Sequence, residues 1–375
     1  MKKIPLIKPE INASKLCQAV RKIAKTGMLT KGEYIQTFQD SLARYLRVKH
    51  IFAVSSCTAA LHLALLAANV KEGDEVLVSD FSFPASANVI VHTGAKPVFV
   101  DIDLETFCLN IDDLKAKINM HAKKVKAIMI VHAFGYPANM SEIMKIARKN
   151  KLVVIEDAAC AIGSKHKSKY CGTWGDLGCF SFHPRKLLTT GEGGAVVTNN
   201  PKLAERIEIL RNHGGIYTKK GWEFVEAGFN YRLSELQAAL GVEQLKTLGQ
   251  TIKHRQKLAR KYIQKLKKVK DIVCPTEPRD GNFNFQSFVI LLPENIDRDD
   301  LVDFLKKQNI ETTLGTYAMH LQKAFQEYKP SSCKNSRYAY KHSLTLPLYE
   351  KMNQAQMNYV VKNLKDYLEK FQDHD

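Results

Sequence analysis

The sequence of 375 residues contains no apolar stretch long enough to cross a bilayer. The most apolar helical segment, Ala59 to Ala68, is shorter than the ~20 residues that a spanning helix needs, and it contains His62. Pro5, Lys8 and Pro9 interrupt the start of the chain, so no cleaved secretory signal is expected. The eight cysteines include no C-x-x-C pair, which leaves a zinc knuckle or a dithiol redox motif without support. These absences predict a soluble, cytoplasmic protein with free thiols and no metal site.

Acidic residues are scarce relative to basic ones, 38 against 56, which gives a formal net charge of +18. The densest basic run, Lys253 to Lys270, repeats Leu258, Tyr262 and Leu266 about once per turn, which predicts an amphipathic helix with a solvated basic face. No aromatic-interleaved basic strand and no nucleic-acid-binding motif accompanies this run. We therefore expect no nucleic-acid or membrane partner. An anionic small substrate would account for part of the charge.

Strand-like and helix-like segments alternate through the first two thirds of the chain. Glu75 to Ser79 and Val125 to Val131 are unbroken apolar strands, and Thr58 to Ala68 is helical. This alternation predicts an α/β fold with a mostly parallel sheet covered by helices on both faces. The pattern after Cys274 is α+β. We therefore predict a large domain over residues 1–249, which includes the N-terminal segment, and a smaller C-terminal domain over residues 250–375.

Three stretches lie where predicted strands end, which is where ligands bind in open α/β sheets. At Ser55 to Leu61 a strand gives way to a helix, whose first N–H groups either bind a phosphate or are simply capped by Ser56 or Thr58. At Val153 to Cys160 the adjacent carboxylates of Glu156 and Asp157 end an apolar strand, and one of them could hold a protonated ring nitrogen.

The third stretch, Gly178 to Gly194, delivers Ser181, His183 and Lys186 into a loop that ends in three glycines. Leu187 and Leu188 flank this lysine, so we expect it to be partly buried, with a lowered pKa and a nucleophilic amine. The three stretches together supply a phosphate cradle, a carboxylate and an amine, which are the parts that pyridoxal phosphate requires. Neither a G-x-x-x-x-G-K-[ST] loop nor a G-x-G-x-x-G turn after the first strand occurs.

The sequence resembles the DegT/DnrJ/StrS family of sugar aminotransferases, which have the type I, aspartate-aminotransferase-like fold. The resemblance runs nearly end to end, and its most specific part is the S-F-H-x-x-K block followed by T-G-E-G-G. The supporting stretches are Ile4 to Leu6, Thr26 to Gly32, Ser56 to His62, Glu156 to Ala159, Gly228 to Glu235 and Leu346 to Tyr349. The resemblance implies a large domain with a mostly parallel sheet, a smaller α+β domain, and pyridoxal 5'-phosphate or its pyridoxamine form as cofactor.

The resemblance also implies a role for each matching residue. Lys186 matches the lysine that forms a Schiff base with the cofactor, and Asp157 matches the carboxylate that pairs with its ring nitrogen. Cys57, Thr58 and Ser181 match the residues that bind the phosphate, and Phe83 matches the aromatic residue that stacks on the ring. Asn230 matches a residue that reaches the phosphate from the second subunit of a homodimer, and Arg232 assists it. His320 matches a position near the sugar nucleotide.

Two residues depart from the family pattern. Cys57 stands where many members have glycine, and this change leaves the backbone N–H available to a phosphate. Cys160 stands where members have His or Gln, near the 3-hydroxyl of the cofactor. A thiol is a weaker hydrogen-bond partner than either side chain. We therefore expect a modest change in cofactor electronics or affinity.

The implied activity is transfer of an amino group, with L-glutamate as the donor, to a nucleotide-linked 4-keto-6-deoxy sugar or to a 3-keto relative. A family of sugar dehydratases carries His at the Schiff-base position, and Lys186 argues against that reaction. The alternative from another functional class is a non-catalytic sensor protein that keeps the fold and the cofactor. Synthesis of a surface polysaccharide is the usual setting of the family.

Overall fold

The computed structural model describes residues 2–122, 124–269, 271–328 and 333–370. The helices are α1 (Ala13–Thr26), α2 (Glu33–Leu46), α3 (Cys57–Ala67), α4 (Ala85–His92), α5 (Ile111–His121), α6 (Met140–Asn150), α7 (Pro201–Leu210), α8 (Glu235–Leu266), α9 (Arg298–Lys307), α10 (Lys334–His342) and α11 (Gln354–Glu369). The strands are β1 (His50–Val54), β2 (Glu75–Ser79), β3 (Phe81–Ser82), β4 (Lys96–Val100), β5 (Val125–Val131), β6 (Val153–Asp157), β7 (Lys165–His166), β8 (Lys169–Tyr170), β9 (Leu177–Ser181), β10 (Gly194–Thr198), β11 (Gly215–Thr218), β12 (Gly221–Phe224), β13 (Gly281–Asn282), β14 (Phe288–Leu291), β15 (Thr313–Leu314), β16 (Tyr317–Ala318) and β17 (Ser343–Leu346).

The main sheet has the strand order β1-β10-β9-β6-β5-β2-β4. Strands β9, β6, β5, β2 and β4 are parallel to one another, and β10 runs antiparallel to both of its neighbours. The predicted strands Glu75 to Ser79 and Val125 to Val131 coincide with β2 and β5. The predicted α/β class with a mostly parallel sheet is confirmed.

Helices cover both faces of this sheet. Val76 and Val78 of β2 pack in one core with Leu63 of α3, whereas Leu77 packs in another core with Ile143 of α6. This alternation follows from the pleat, which points successive side chains to opposite faces. Both faces of the strands are therefore apolar, which explains why the strands read as unbroken hydrophobic runs.

A separate core, distinct from the two on the faces of the main sheet, lies in the C-terminal part of the chain. Strands β14, β17 and β15 form an antiparallel sheet. Residues of this sheet pack with α9, α11 and the second half of α8, where Tyr262 and Leu301 are fully buried. Ile4 joins this core, and its backbone N–H donates to the carbonyl of Asn309 at 2.8 Å. The start of the chain thus contributes to the C-terminal core.

Helix α8 connects the two regions without a break. Its N-cap is Ser234, which forms a capping box with Gln237. The helix continues through Gly249 and the basic run to Leu266, while Lys270 lies outside the described residues. The domain division at residue 249 stays a prediction. No helix within the described ranges is both long enough and apolar enough to cross a membrane.

The first turn of α8 also fixes the start of α2. Gly32, the N-cap of α2, has no side chain to accept the free N–H groups of that helix. The buried carboxylate of Glu235 takes this role, accepting hydrogen bonds from the N–H groups of Gly32, Tyr34 and Ile35 at 3.0, 2.9 and 2.9 Å. A Cβ atom at position 32 would lie 2.7 Å from this carboxyl group, so a larger residue there would displace the carboxylate that caps α2.

Replacing Glu235 with Ala should lower the free energy of unfolding by about 1–3 kcal/mol, because three buried N–H groups lose their acceptor. The matched control is Glu243→Ala on the same helix, whose carboxylate pairs with exposed Lys246. That change should cost less than about 1 kcal/mol. Urea unfolding of both variants measures the difference, and equal losses would contradict the capping role.

Candidate active site

A cavity of about 520 Å³ lies at the carboxyl ends of β1, β6 and β9. Its walls come from both regions of the chain, with Phe83 and Phe134 on one side and Phe288 and Leu348 on the other. The predicted site residues that line this cavity are Cys57, Thr58, Phe83, Asp157, Cys160, Ser181 and Lys186. The fold therefore brings together residues that are distant in sequence.

The N-terminus of α3 opens onto the cavity. Ser56 is the N-cap, and its hydroxyl accepts a hydrogen bond from the N–H of Ala59 at 3.1 Å. The N–H groups of Cys57 and Thr58, in the first turn, have no acceptor within the helix. A Cβ atom at Gly194 would lie 2.5–2.6 Å from the backbone of Ser56 and Cys57. The last glycine of the T-G-E-G-G stretch thus allows β10 to approach this helix start.

The thiol of Cys57 is buried, and burial raises its pKa well above the ordinary value. The thiol is therefore uncharged at neutral pH, and it adds no negative charge at this helix start. This agrees with the expectation that cysteine in place of glycine leaves the backbone N–H available to an anion.

Asp157 ends β6 and is almost fully buried, with its side chain facing the cavity. Its Oδ2 accepts a hydrogen bond from the hydroxyl of Ser86 at 2.7 Å, and its Oδ1 accepts one from the N–H of Ala159 at 3.1 Å. Both oxygens are thus fixed in place. Ser86 is a site residue that sequence reasoning missed, because one serine in α4 carries no recognisable motif.

The adjacent carboxylate of Glu156 has a different environment. It lies on the opposite face of β6, since successive strand residues alternate in direction. It accepts hydrogen bonds from the N–H groups of Gly172, Trp174 and Gly175 at 2.6–2.7 Å, and it lies 2.9 Å from Nε2 of His132. Glu156 is therefore structural, and Asp157 is the carboxylate that the cavity can use.

Lys186 lies in the loop after β9, and its Nζ donates a hydrogen bond to Sγ of Cys160 at 3.0 Å. Burial alone would lower the pKa of Lys186, but its contact with Cys160, together with Cys57 and Asp157, outweighs burial and raises that pKa above the ordinary value. The expectation of a lowered pKa is therefore wrong for the protein without a bound cofactor. The hydrogen bond to Cys160 and the nearby carboxylate of Asp157 favour the ammonium form, whereas burial disfavours it.

Three predicted residues do not line the cavity. Arg232 donates a hydrogen bond from Nη1 to Oδ1 of Asn212 at 2.7 Å. Asn230 is exposed on the surface of the chain, after the hairpin of β11 and β12. His320 is 3% exposed; its backbone N–H donates to Oδ1 of Asp80 at 2.8 Å, and its Nδ1 lies 2.6 Å from Oδ2. Both oxygens of Asp80 are thus engaged by His320. This contact keeps His320 in the protein interior.

The chemistry of the cavity fits pyridoxal phosphate. The free N–H groups at the start of α3 and the hydroxyl of Ser181 are suited to a phosphate. The fixed carboxylate of Asp157 is suited to a protonated ring nitrogen, and the amine of Lys186 is suited to an aldehyde. The three groups line one cavity.

The comparisons with known proteins agree with this site. Residues 10–365 match the DegT/DnrJ/EryC1/StrS aminotransferase family. The chain is 34% identical over 367 residues to GDP-perosamine synthase of Escherichia coli O157:H7, which covers 98% of this chain and 99% of that protein. It is also 34% identical over 363 residues to the UDP-4-amino-4,6-dideoxy-N-acetyl-beta-L-altrosamine transaminase of Campylobacter jejuni, with 94% of each chain covered.

A solved structure shows the same fold. The crystal structure of a DegT DnrJ EryC1 StrS aminotransferase from Brucella abortus superposes with a TM-score of 0.89 at 31% identity, covering 94% of this chain and 95% of that chain. The predicted fold type, the enzyme class and the dependence on pyridoxal phosphate are confirmed, while the roles of individual site residues stay predictions. The chain belongs to the DegT/DnrJ/EryC1/StrS aminotransferase family.

Proposed function

We propose that this chain transfers an amino group from L-glutamate to a nucleotide-linked keto-deoxy sugar, most simply a 4-keto-6-deoxyhexose. The observation that carries the proposal is that the amine of Lys186, the carboxylate of Asp157 and the start of α3 line one cavity. Pyridoxal phosphate, when bound, supplies the aldehyde that condenses with amines and the ring that takes up electrons from the adjacent carbon.

The phosphate end of the proposed cofactor site lies at α3. The N–H groups of Cys57 and Thr58 would donate hydrogen bonds to the phosphate oxygens, and the positive end of the helix dipole would favour the charge of the phosphate. Ser181, at the end of β9, adds a hydroxyl from the neighbouring part of the sheet. These contacts would orient pyridoxal phosphate through its phosphate group.

The ring end lies at Asp157. Ser86 and the N–H of Ala159 hold this carboxylate, so it keeps a ring nitrogen protonated without moving. Phe83 lines the same cavity and provides an aromatic face for the ring. The carboxylate therefore favours the form of the ring that accepts electrons.

Lys186 is the proposed general acid and base. With the cofactor bound, its Nζ would take a proton from the α-carbon of the donor and would return a proton to the sugar carbon that receives the amine. Cys160 receives the amine in a hydrogen bond when the lysine is free. This contact gives the amine a defined position between the two proton transfers.

The choice of the 4-keto sugar rests on the names of the relatives. The Campylobacter jejuni relative is a transaminase whose name contains 4-amino-4,6-dideoxy, and it aligns over 94% of this chain. The formal charge of +18 suits an anionic nucleotide diphosphate. A 3-keto sugar is the alternative substrate within the same family. The eight free cysteines suit the reducing cytoplasm as the proposed location.

We also propose that two copies of the chain form a homodimer with shared active sites. The hairpin of β11 and β12 exposes Tyr217, Trp222 and Phe224, which are 76%, 48% and 67% exposed. Exposed aromatic groups of this kind are typical of surfaces that bind another protein. Asn230 lies just after this hairpin. In the proposed dimer the partner subunit covers the hairpin, and Asn230 of each subunit reaches the cavity of the other subunit.

Replacing Lys186 with Ala should abolish the visible absorption band that pyridoxal phosphate gives with the wild-type protein. It should also slow amino transfer from L-glutamate by about 10²–10⁴-fold or more, because the proton carrier is lost. The variant should still bind the cofactor through its phosphate. Absorption spectra before and after L-glutamate measure both effects.

Lys202→Ala, at an exposed position in α7, is the control and should behave as wild type. A Lys186→Ala protein that still aminated a keto sugar at the wild-type rate would refute the assignment. A wild-type band that L-glutamate leaves unchanged would instead indicate a different donor or a sensor.

Mixing Lys186→Ala chains with Asn230→Ala chains, after dissociation and reassembly, tests the shared site. If each site combines Lys186 of one subunit with Asn230 of the other, every mixed dimer contains one intact site. Random mixing should then restore about one quarter of wild-type activity, although each variant alone is nearly inactive. No recovery after mixing, with mixed dimers verified by differently sized tags, would place both residues in the same subunit's site.

A further inference from the structure

The side-chain amide of Gln286 brackets Lys186 on both sides. Its Oε1 accepts a hydrogen bond from the N–H of Leu187 at 3.0 Å, and its Nε2 donates to the carbonyl of Arg185 at 2.6 Å. The two peptide groups next to Lys186 are therefore tied to one side chain. Within the loop itself, the N–H of Lys186 donates to the carbonyl of His183 at 2.8 Å.

Gln286 is itself firmly held. It is 5% exposed, and its backbone N–H donates to Oδ1 of Asn284 at 2.8 Å. The buried guanidinium of Arg255 donates to the carbonyl of Gln286 at 2.8 Å and to the carbonyl of Phe285 at 3.0–3.1 Å. Arg255 lies in the middle of α8, so this anchor belongs to the long helix rather than to the catalytic loop.

The same segment also fixes the partner of the lysine amine. Asn284 Nδ2 donates to the carbonyls of Cys160 and Ile162, each at 2.9 Å. The 3.0 Å contact between Lys186 Nζ and Cys160 Sγ is thus held at both ends by residues 284–286. The C-terminal region thus positions Cys160 and Lys186, which lie in the loops after strands β6 and β9 of the main sheet.

We infer that Gln286 is a positioning residue for Lys186, an inference that rests on the proposed role of Lys186 as the reacting amine. The position needs a neutral side chain that accepts at one end and donates at the other, which the amide of glutamine provides. A carboxylate accepts from Leu187 but cannot donate to Arg185, and an apolar side chain does neither. Misplacing a reacting group by about 1 Å can cost roughly 10²-fold in rate.

The test compares Gln286→Met and Gln286→Glu with the wild type. The first readout is the rate at which the visible band appears when pyridoxal phosphate is added to the cofactor-free protein. The second readout is the separate kcat and KM of the half-reaction with L-glutamate. We expect both the band-formation rate and kcat to fall by about 10–100-fold in Gln286→Met. The loss in Gln286→Glu should be at least as large, because its second carboxylate oxygen has no proton to donate to the carbonyl of Arg185 and its charge is buried. KM for L-glutamate should change little, because neither hydrogen bond involves the donor.

Asn363→Leu provides the control for a general loss of stability. Asn363 is a buried amide in α11 that donates to the carbonyl of Tyr359 at 2.8 Å and does not line the cavity. This variant should lower the melting temperature without slowing band formation. The same melting experiment on the Gln286 variants shows that the protein is folded at the assay temperature.

The outcomes separate this inference from the proposed function. A wild-type protein that forms no band with pyridoxal phosphate would overturn the proposed function itself. A wild type that forms the band, together with Gln286→Met forming it at the same rate and with the same kcat, would overturn only the role of Gln286. A loss in kcat that Asn363→Leu reproduces would also overturn it, by reducing Gln286 to a structural residue.

Discussion

The active-site edge of the sheet depends on the hydrogen bonds made by the buried carboxylate of Glu156. It lies on the face of β6 opposite to Asp157 and accepts three backbone N–H groups of the segment 172–175. His132 completes the group, because its Nδ1 accepts the N–H of Ala138 and its Nε2 faces the carboxylate. Leaving one of these buried polar groups without its partner costs about 1–3 kcal/mol, so this arrangement fixes the end of β6 firmly. Asp157 can then point into the cavity because its neighbour holds the backbone.

A second constraint joins the two regions of the chain. The guanidinium of Arg255, in the middle of α8, is fully buried, and burial lowers its pKa to about 10. It remains charged at neutral pH, and its donors bind the carbonyls of Phe285, Gln286 and Leu348. A buried cation must be satisfied in this way, since an unpaired charge is strongly unfavourable in the interior. The helix therefore fixes the segment that contacts both Lys186 and Cys160.

The pKa of Lys186 differs from what its neighbours in the sequence predict. Its leucine neighbours predicted burial and a lowered pKa, but the chain folds Cys160, Cys57 and Asp157 around the amine and raises that pKa. Those three residues lie at least 26 positions away from Lys186 in the sequence. The sign of the shift is thus a property of the folded cavity.

The resemblance to the family supplied seven of the residues that line the cavity. The sequence by itself predicted the alternation of strands and helices and the change from strand to helix within Ser55 to Leu61. These features follow from local rules, since apolar periodicity, capping residues and glycines act over a few positions. Tertiary structure alone decided that Ser86 holds the carboxylate of Asp157, that His320 is engaged by Asp80, and that Gln286 brackets Lys186. Those outcomes depend on contacts between residues 71 to 240 positions apart, as between Leu187 and Gln286, and no local pattern encodes such contacts.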